Sequence, residues 1–194
     1  MNTIKQENKG VLAYIVGAAI GDGNLSNPNG RATRLRITCD IKYQNIIKRM
    51  RAAIRKIFPD NKVSLVKRKE NCLDISCYSN KWENLLGWKA FGGSKYNQNV
   101  SVPKWIKKKR NFSIACLRGL LETDGSIYID RGYKMVNFTT IIPTLATDTM
   151  TMIGNLGFEA HIYKIPSKNK KARYNIRISK NTDKFIKLIN FKKD

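Results

Sequence analysis

The sequence predicts an α+β fold: two αββαββα halves in tandem, related by a pseudo-two-fold axis, with two antiparallel sheets beside a pair of packed helices. Three observations predict it. Ala13–Gly23 (AYIVGAAIGDG) and Ala115–Gly125 (ACLRGLLETDG) are near-copies, pairing Gly17 with Gly119 and Asp22 with Asp124 at one common interval. After each copy the same succession of helical and strand-like segments follows. Within each succession the strands are joined by short turns, which makes their pairing antiparallel.

In the first half the opening helix carries a small residue at every fourth position, Ala13, Gly17 and Gly21. Residues four apart share a helix face, so one side is stripped of bulk and a second helix can approach closely there. The turn Asn27-Pro-Asn-Gly30 precedes RLRIT (34–38), where Arg34, Arg36 and Thr38 alternate with Leu35 and Ile37. That two-residue period marks a strand with one wet face. Residues 41–58 place Ile46, Ile47, Met50, Ile54, Ile57 and Phe58 at helical spacing and stop at Pro59. Strands are expected at 62–69 and 72–78. A helix then opens at Asn80, with Glu83 three residues on as a capping box.

The second half repeats this order. Ala115, Gly119 and Thr123 form the small stripe; SIYID (126–130) and YKMVNFT (133–139) flank the turn Arg131-Gly132. Pro143 opens a helix that Gly157 ends, strands follow at 159–165 and 173–179 around the basic loop 167–171, and a last helix starts near Asn181. The expected halves are 1–88 and 112–194, with the glycine- and lysine-rich segment 89–111 as the linker.

The balance of 37 basic to 14 acidic residues gives a net charge of +23, spread over the whole length, which implies a polyanionic partner for the folded body. The longest apolar run, Val11 to Ile20, is too short to span a bilayer. Lys5 and Lys9 ahead of it imitate a secretory leader, but the near-copy at Ala115–Gly125 cannot be one. Four cysteines without a CxxC pair and a single histidine argue against a zinc site and for buried thiols in a reducing compartment. An intracellular protein, cytoplasmic or organellar and not secreted, is expected, with no membrane association.

Close packing of the two stripes would bring Asp22 and Asp124 together at the end of one seam, and paired carboxylates there suggest a divalent-metal site. Side by side, the wet faces of the sheets would carry Arg34, Arg36, Thr38, Lys67, Arg68, Lys69, Lys134, Asn137, Lys164, Arg173, Asn175 and Arg177, with Arg31 in the first hairpin loop. Strand ribbons fit the major groove of duplex DNA, where such side chains reach base edges while neighbours hold phosphates. Each of these residues alone could equally be a solvated strand residue; their alternation in a chain of this charge points to a surface.

IVGAAIGDG (15–23) and LRGLLETDG (117–125) resemble the two motifs of the single-chain LAGLIDADG homing endonucleases, and the likeness of layout covers essentially the whole chain. The resemblance implies a saddle of two sheets over double-stranded DNA with the motif helices at its centre. It also implies Mg²⁺-dependent double-strand cleavage of a long specific site, with Mn²⁺ or Ca²⁺ able to occupy the same position. The last acid of each motif is the implied metal ligand, hence Asp22 and Asp124, assisted by the carbonyls of Gly21 and Thr123. A lysine after the last helix of each half is implied as a catalytic aid, which points to Lys95 and Lys192. Water-organising residues past the first hairpin match only loosely, at Cys39 or Asp40 and at Thr140. Glu122 departs from the motif and reads as structural. A monomer with no obligate protein partner is implied. A non-cleaving binder on the same scaffold, either an intron RNA maturase or a DNA-binding regulator, is the competing expectation. For a basic ribosomal or structural protein the charge would suffice, but the doubled Asp-Gly helices would have no explanation.

Overall fold

In the computed structural model, residues 6–193 are described. Lys5 of the leader-like stretch and the expected outer limits of the halves, 1 and 194, lie outside the described residues. The first half consists of α1 (Lys9–Asp22), β1 (Gly23–Ser26), β2 (Arg34–Asp40), α2 (Gln44–Ile57), β3 (Val63–Lys67), β4 (Cys72–Tyr78) and α3 (Trp82–Leu86). A short α4 (Lys104–Lys107) follows. The second half repeats the order as α5 (Arg110–Asp124), β5 (Gly125–Asp130), β6 (Tyr133–Thr140), α6 (Pro143–Asn155), β7 (His161–Ile165), β8 (Arg173–Ile178) and α7 (Thr182–Ile189). The two sheets have equivalent strand orders, β1-β2-β4-β3 and β5-β6-β8-β7, and every pairing is antiparallel.

The core centres on α1 against α5. Every residue from Leu12 to Ile20 is buried, as expected of a helix that is apolar on all sides. By contrast α2 is amphipathic and buries Ile46, Ile47, Met50, Ala53 and Ile54. The small stripes meet as the sequence predicts. A Cβ on Gly17 would overlap the Cys116 carbonyl oxygen and stand 3.1 Å from the Leu120 nitrogen; one on Gly119 would stand 2.6 Å from the Ala18 nitrogen. Backbone therefore touches backbone, an approach only glycine permits.

One local expectation fails. The capping box at Asn80 does not form: α3 begins at Trp82, and Glu83 instead accepts the Ala90 N–H at 2.8 Å and pairs with Lys89. The segment 89–111 buries Val100, Val102 and Ile106, contains α4, and carries Lys95 into the centre of the molecule. Asp148 of α6 ties it down, accepting the Val102 N–H at 2.7 Å and pairing with Lys107. At the tip of the β5–β6 hairpin, Arg131 and Gly132 both take positive φ (50° and 84°), the turn whose twist matches paired strands.

Candidate active site

Asp22 and Asp124 are the last residues of α1 and α5, and each is followed by a glycine that starts a strand at once. A Cβ on Gly23 would stand 2.6 Å from Ala19 Cα, and one on Gly125 would stand 2.5 Å from the Leu121 carbonyl oxygen. The chain thus turns from helix to strand tightly against its own last turn, and the preceding carboxylate is left at the seam. Both acidic side chains reach the surface. Asp124 Oδ2 lies close to Gly21, at 3.1 Å from where a Cβ on that residue would be.

Two lysines close the helix ends. Lys95 Nζ donates to the carbonyls of Ile20 (2.5 Å), Ala19 (3.4 Å) and Gly21. Lys193 Nζ donates to those of Thr123 (2.9 Å) and Gly125 (2.8 Å). An ammonium there meets carbonyls at or just past the helix C-termini and offsets the negative end of the helix dipole. The second lysine is Lys193 and not Lys192, which is exposed. Asn190 ends α7 in the left-handed conformation, Phe191 is buried, and the following residues alternate outward and inward.

Each carboxylate faces a hollow built from both halves. Asp124 shares one of about 380 Å³ with Gly21, Lys95, Tyr96, Thr139 and Thr140. Asp22 shares a smaller one of about 140 Å³ with Cys39, Asp40, Thr123, Glu122 and Lys193. Cys39, Asp40 and Thr140, the loose matches for water-organising residues, therefore line the hollows.

Partial withdrawal from water raises the pKa of both acids. Asp124 is pushed up to about 6, by burial first and by the charge of Asp22 next, against the pull of Lys95 and Lys193. Asp22 is raised by burial, again opposed by the two lysines. The Lys95 ammonium is held below its ordinary value by burial, with Asp124 and Asp22 opposing.

A divalent cation fits this donor set. Two carboxylates in electrostatic reach of each other are relieved by a shared positive charge, and the carboxylates and the helix-end carbonyls beside them are oxygen donors. Among the described residues no group of three or more acidic, histidine or cysteine side chains forms. A hard divalent ion held by two carboxylates would keep waters and take further oxygens from phosphates. The Gly21 and Thr123 carbonyls, expected as further ligands, each accept from a lysine, Lys95 and Lys193, whose positive charge opposes a cation on the same oxygen.

Residues 111–190 match the family model described as a LAGLIDADG-like domain. Solved structures extend the likeness to the whole chain. Mesophilic variants of the homing endonuclease I-DmoI superpose with a TM-score of 0.67 at 22% identity, covering 95% of this chain and 97% of that one. I-DmoI in complex with DNA and Mn gives 0.67 at 22%, over 94% and 97%. Full-length DUF199/WhiA from Thermatoga maritima gives 0.66 at 14%, over 98% of this chain and 58% of that one. At these identities the likeness is one of fold, and both halves have the LAGLIDADG fold. No curated protein matches the sequence.

Within that LAGLIDADG fold, strand register decides which basic residues share the outer face of each sheet, because directly opposed residues point the same way. Arg34, Arg36 and Thr38 do, opposite Tyr78, Ser76 and Asp74. Asn137, Asn175 and Arg177 do, and Arg173 follows by alternation. Arg68 reaches that face through its ion pair with Asp74 (3.6 Å). Arg31 and Lys69 are exposed in loops. Three expectations are corrected. Lys67 opposes Leu73 and Lys164 opposes Tyr174, both on the helix-side face. Lys134 shares the helix-side face with Val136 and Phe138 and pairs with Asp183 of α7 at 2.5 Å. The sequence reading also missed Asp74, a buried acid within the apolar run CLDISC.

Glu122 is structural, as the sequence suggests. Its side chain is fully buried and accepts from Tyr14 Oη (2.6 Å), Arg118 Nε (2.9 Å) and Arg49. Burial, then the Glu122 charge, pushes the Tyr14 hydroxyl above its ordinary range. The cluster joins α1 and α2 of the first half to α5 of the second.

Proposed function

We propose that the protein is a metal-dependent endodeoxyribonuclease that makes a double-strand break in a long specific site, as homing endonucleases do. The observation that carries this reading is the pair of composite hollows, one with Asp124 of the second half and Lys95 of the connecting segment, the other with Asp22 of the first half and Lys193 of the second. Asp22 and Asp124 would hold Mg²⁺, or Mn²⁺ in its place. The bound ion supplies a polarised phosphate and a water of lowered pKa. Lys95 and Lys193 then have two tasks: they hold the helix ends now, and they turn to the phosphodiester oxygens when DNA enters. The outer faces of the sheets position the duplex through phosphate contacts and read base edges. I-DmoI, solved with DNA and Mn, supports both the partner and the metal class. No helix among the described residues is long and apolar enough to cross a membrane. We assign the chain a monomeric role, because its two halves already supply both acids, and an intracellular one, because its proposed substrate is cellular DNA.

A non-cleaving binder on the same scaffold is the second reading, favoured by the lysine ammoniums that occupy the Gly21 and Thr123 carbonyls. One experiment separates them. A randomised duplex library is incubated with the protein and Mg²⁺, and the new ends are sequenced. Recurrent paired ends that vanish with EDTA, and with Asp22→Asn or Asp124→Asn, support the nuclease. Retention of specific duplexes without new ends supports the binder.

A further inference from the structure

The same three register positions in the two sheets carry different chemistry. In the first sheet Thr38 opposes Asp74, with Arg36 two residues before Thr38. In the second, Thr139 opposes Asn175, with Asn137 two residues before Thr139. A guanidinium and a carboxylate in one half are thus replaced by two amides in the other.

The first triangle orients arginines without consuming their donors. Thr38 Oγ1 gives Asp74 its hydrogen bond at 2.8 Å. Arg36 and Arg68 stand 3.8 Å and 3.6 Å from the Asp74 oxygens, close enough for charge attraction but beyond hydrogen-bond length. Arg36 Nε is buried without a hydrogen-bond partner, which leaves the terminal N–H groups of this guanidinium to face a ligand. Arg34 is steadied by Ser26 Oγ (3.2 Å) and lies over the Tyr78 ring. Three aimed guanidiniums with free N–H groups suit the paired acceptors O6 and N7 of guanine.

The second triangle is a polarised chain. Asn137 Nδ2 donates to Thr139 Oγ1 (3.1 Å), which donates to Asn175 Oδ1 (3.0 Å). Asn137 Oδ1 and the Asn175 amide N–H groups are not used in these bonds, a donor and acceptor set that matches adenine N6 and N7. Around them the exposed Tyr128, Tyr163 and Ile165 offer apolar contact to thymine methyls. Arg173 and Arg177 share this face, and Arg177 is held much as the first half's arginines are, 3.6 Å from Asp130 and over the Tyr163 ring; the difference between the sheets lies at the Arg36/Asn137 and Asp74/Asn175 positions.

We infer that the two half-sites of the DNA target differ in composition: the half against β1–β4 is read at G·C pairs through Arg34, Arg36 and Arg68, and the half against β5–β8 at A·T pairs through Asn137 and Asn175. This deepens the proposed function and rests on its DNA-reading part alone, since it needs no cleavage.

The test is selection of randomised duplexes by the full chain in EDTA, followed by sequencing. Enriched sequences should have one half dominated by discrete G·C positions and the other by A·T positions. Arg36→Gln and, independently, Arg68→Gln should relax guanine preference in the first half by roughly tenfold and leave the second unchanged. Asn175→Ala should do the reverse. The double variant Arg36→Asn with Asp74→Asn should shift the first half toward A·T. Enriched sites with halves of the same composition overturn this inference while DNA reading stands, as does relaxation of the same half by Arg36→Gln and Asn175→Ala. Recovery of no preferred sequence overturns the inference and the DNA-reading function together.

Discussion

Gly119 lies directly against the backbone of Ala18: a Cβ added to it would stand 2.6 Å from the Ala18 nitrogen and overlap the Tyr14 carbonyl oxygen. Its symmetry mate Gly17 meets Cys116 and Leu120 in the same way. This double contact sets how near the ends of α1 and α5 come, and with it the separation of the two acids.

Gly119→Ala should therefore be costly, because neither backbone has room to yield. A loss of about 2–3 kcal/mol, seen as a fall in Tm of about 5–10 °C, is expected. Gly154→Ala is the control: nothing lies within 4 Å of its added Cβ. That substitution, within α6, should stabilise by about 0.5–1 kcal/mol through helix propensity and reduced freedom of the unfolded chain. Thermal melts of the two variants check both signs.

Glu122 is the buried anion on which Arg49, Arg118 and Tyr14 converge. Glu122→Ala leaves two largely buried cations without their partner and should cost about 3–5 kcal/mol in denaturant unfolding. Mg²⁺ binding by whatever folded protein remains should be unchanged. A selective loss of metal affinity with stability intact would place Glu122 among the ligands instead.

Asp124 links stability to pH. A carboxyl whose folded pKa is about 6 keeps its proton in the folded state across a window where the unfolded chain, at the ordinary 3.8, has released it. Ionisation at this site therefore opposes folding: the penalty is absent below 3.8, grows with pH, and is fully present above about 6. Asp124→Asn in metal-free buffer should raise Tm at pH 7.5, by about 2 °C once solvent screening at this surface-reaching side chain is allowed for. The gain should vanish toward pH 4. Added Mg²⁺ should raise the wild-type Tm and leave that of the variant nearly unmoved.

Much of this architecture was legible because it is written twice. Small residues four apart followed by Asp-Gly, in two copies, sufficed to pair α1 with α5 and to place both acids. Central strands were legible too: β2 alternates cleanly, with Leu35, Ile37 and Cys39 buried between Arg34, Arg36 and Thr38. Edge strands were not. All five residues of β7 are exposed, and most of β3 is, so no burial period exists from which to tell the face of Lys164 or Lys67. Lys134 escaped for another reason, since its partner Asp183 is distant in sequence. Adjacent lysines at the end of the chain could not be told apart by counting from a helix whose left-handed cap, at Asn190, sets the phase of the tail.

The most direct measurement of the central claim is the anomalous-scattering map of crystals of the protein bound to a selected duplex with Mn²⁺. The account predicts a peak at the α1–α5 seam, within roughly 2.0–2.6 Å of carboxylate oxygens of both Asp22 and Asp124. A map with ordered DNA and no peak there, or with manganese held elsewhere on the chain, would contradict it.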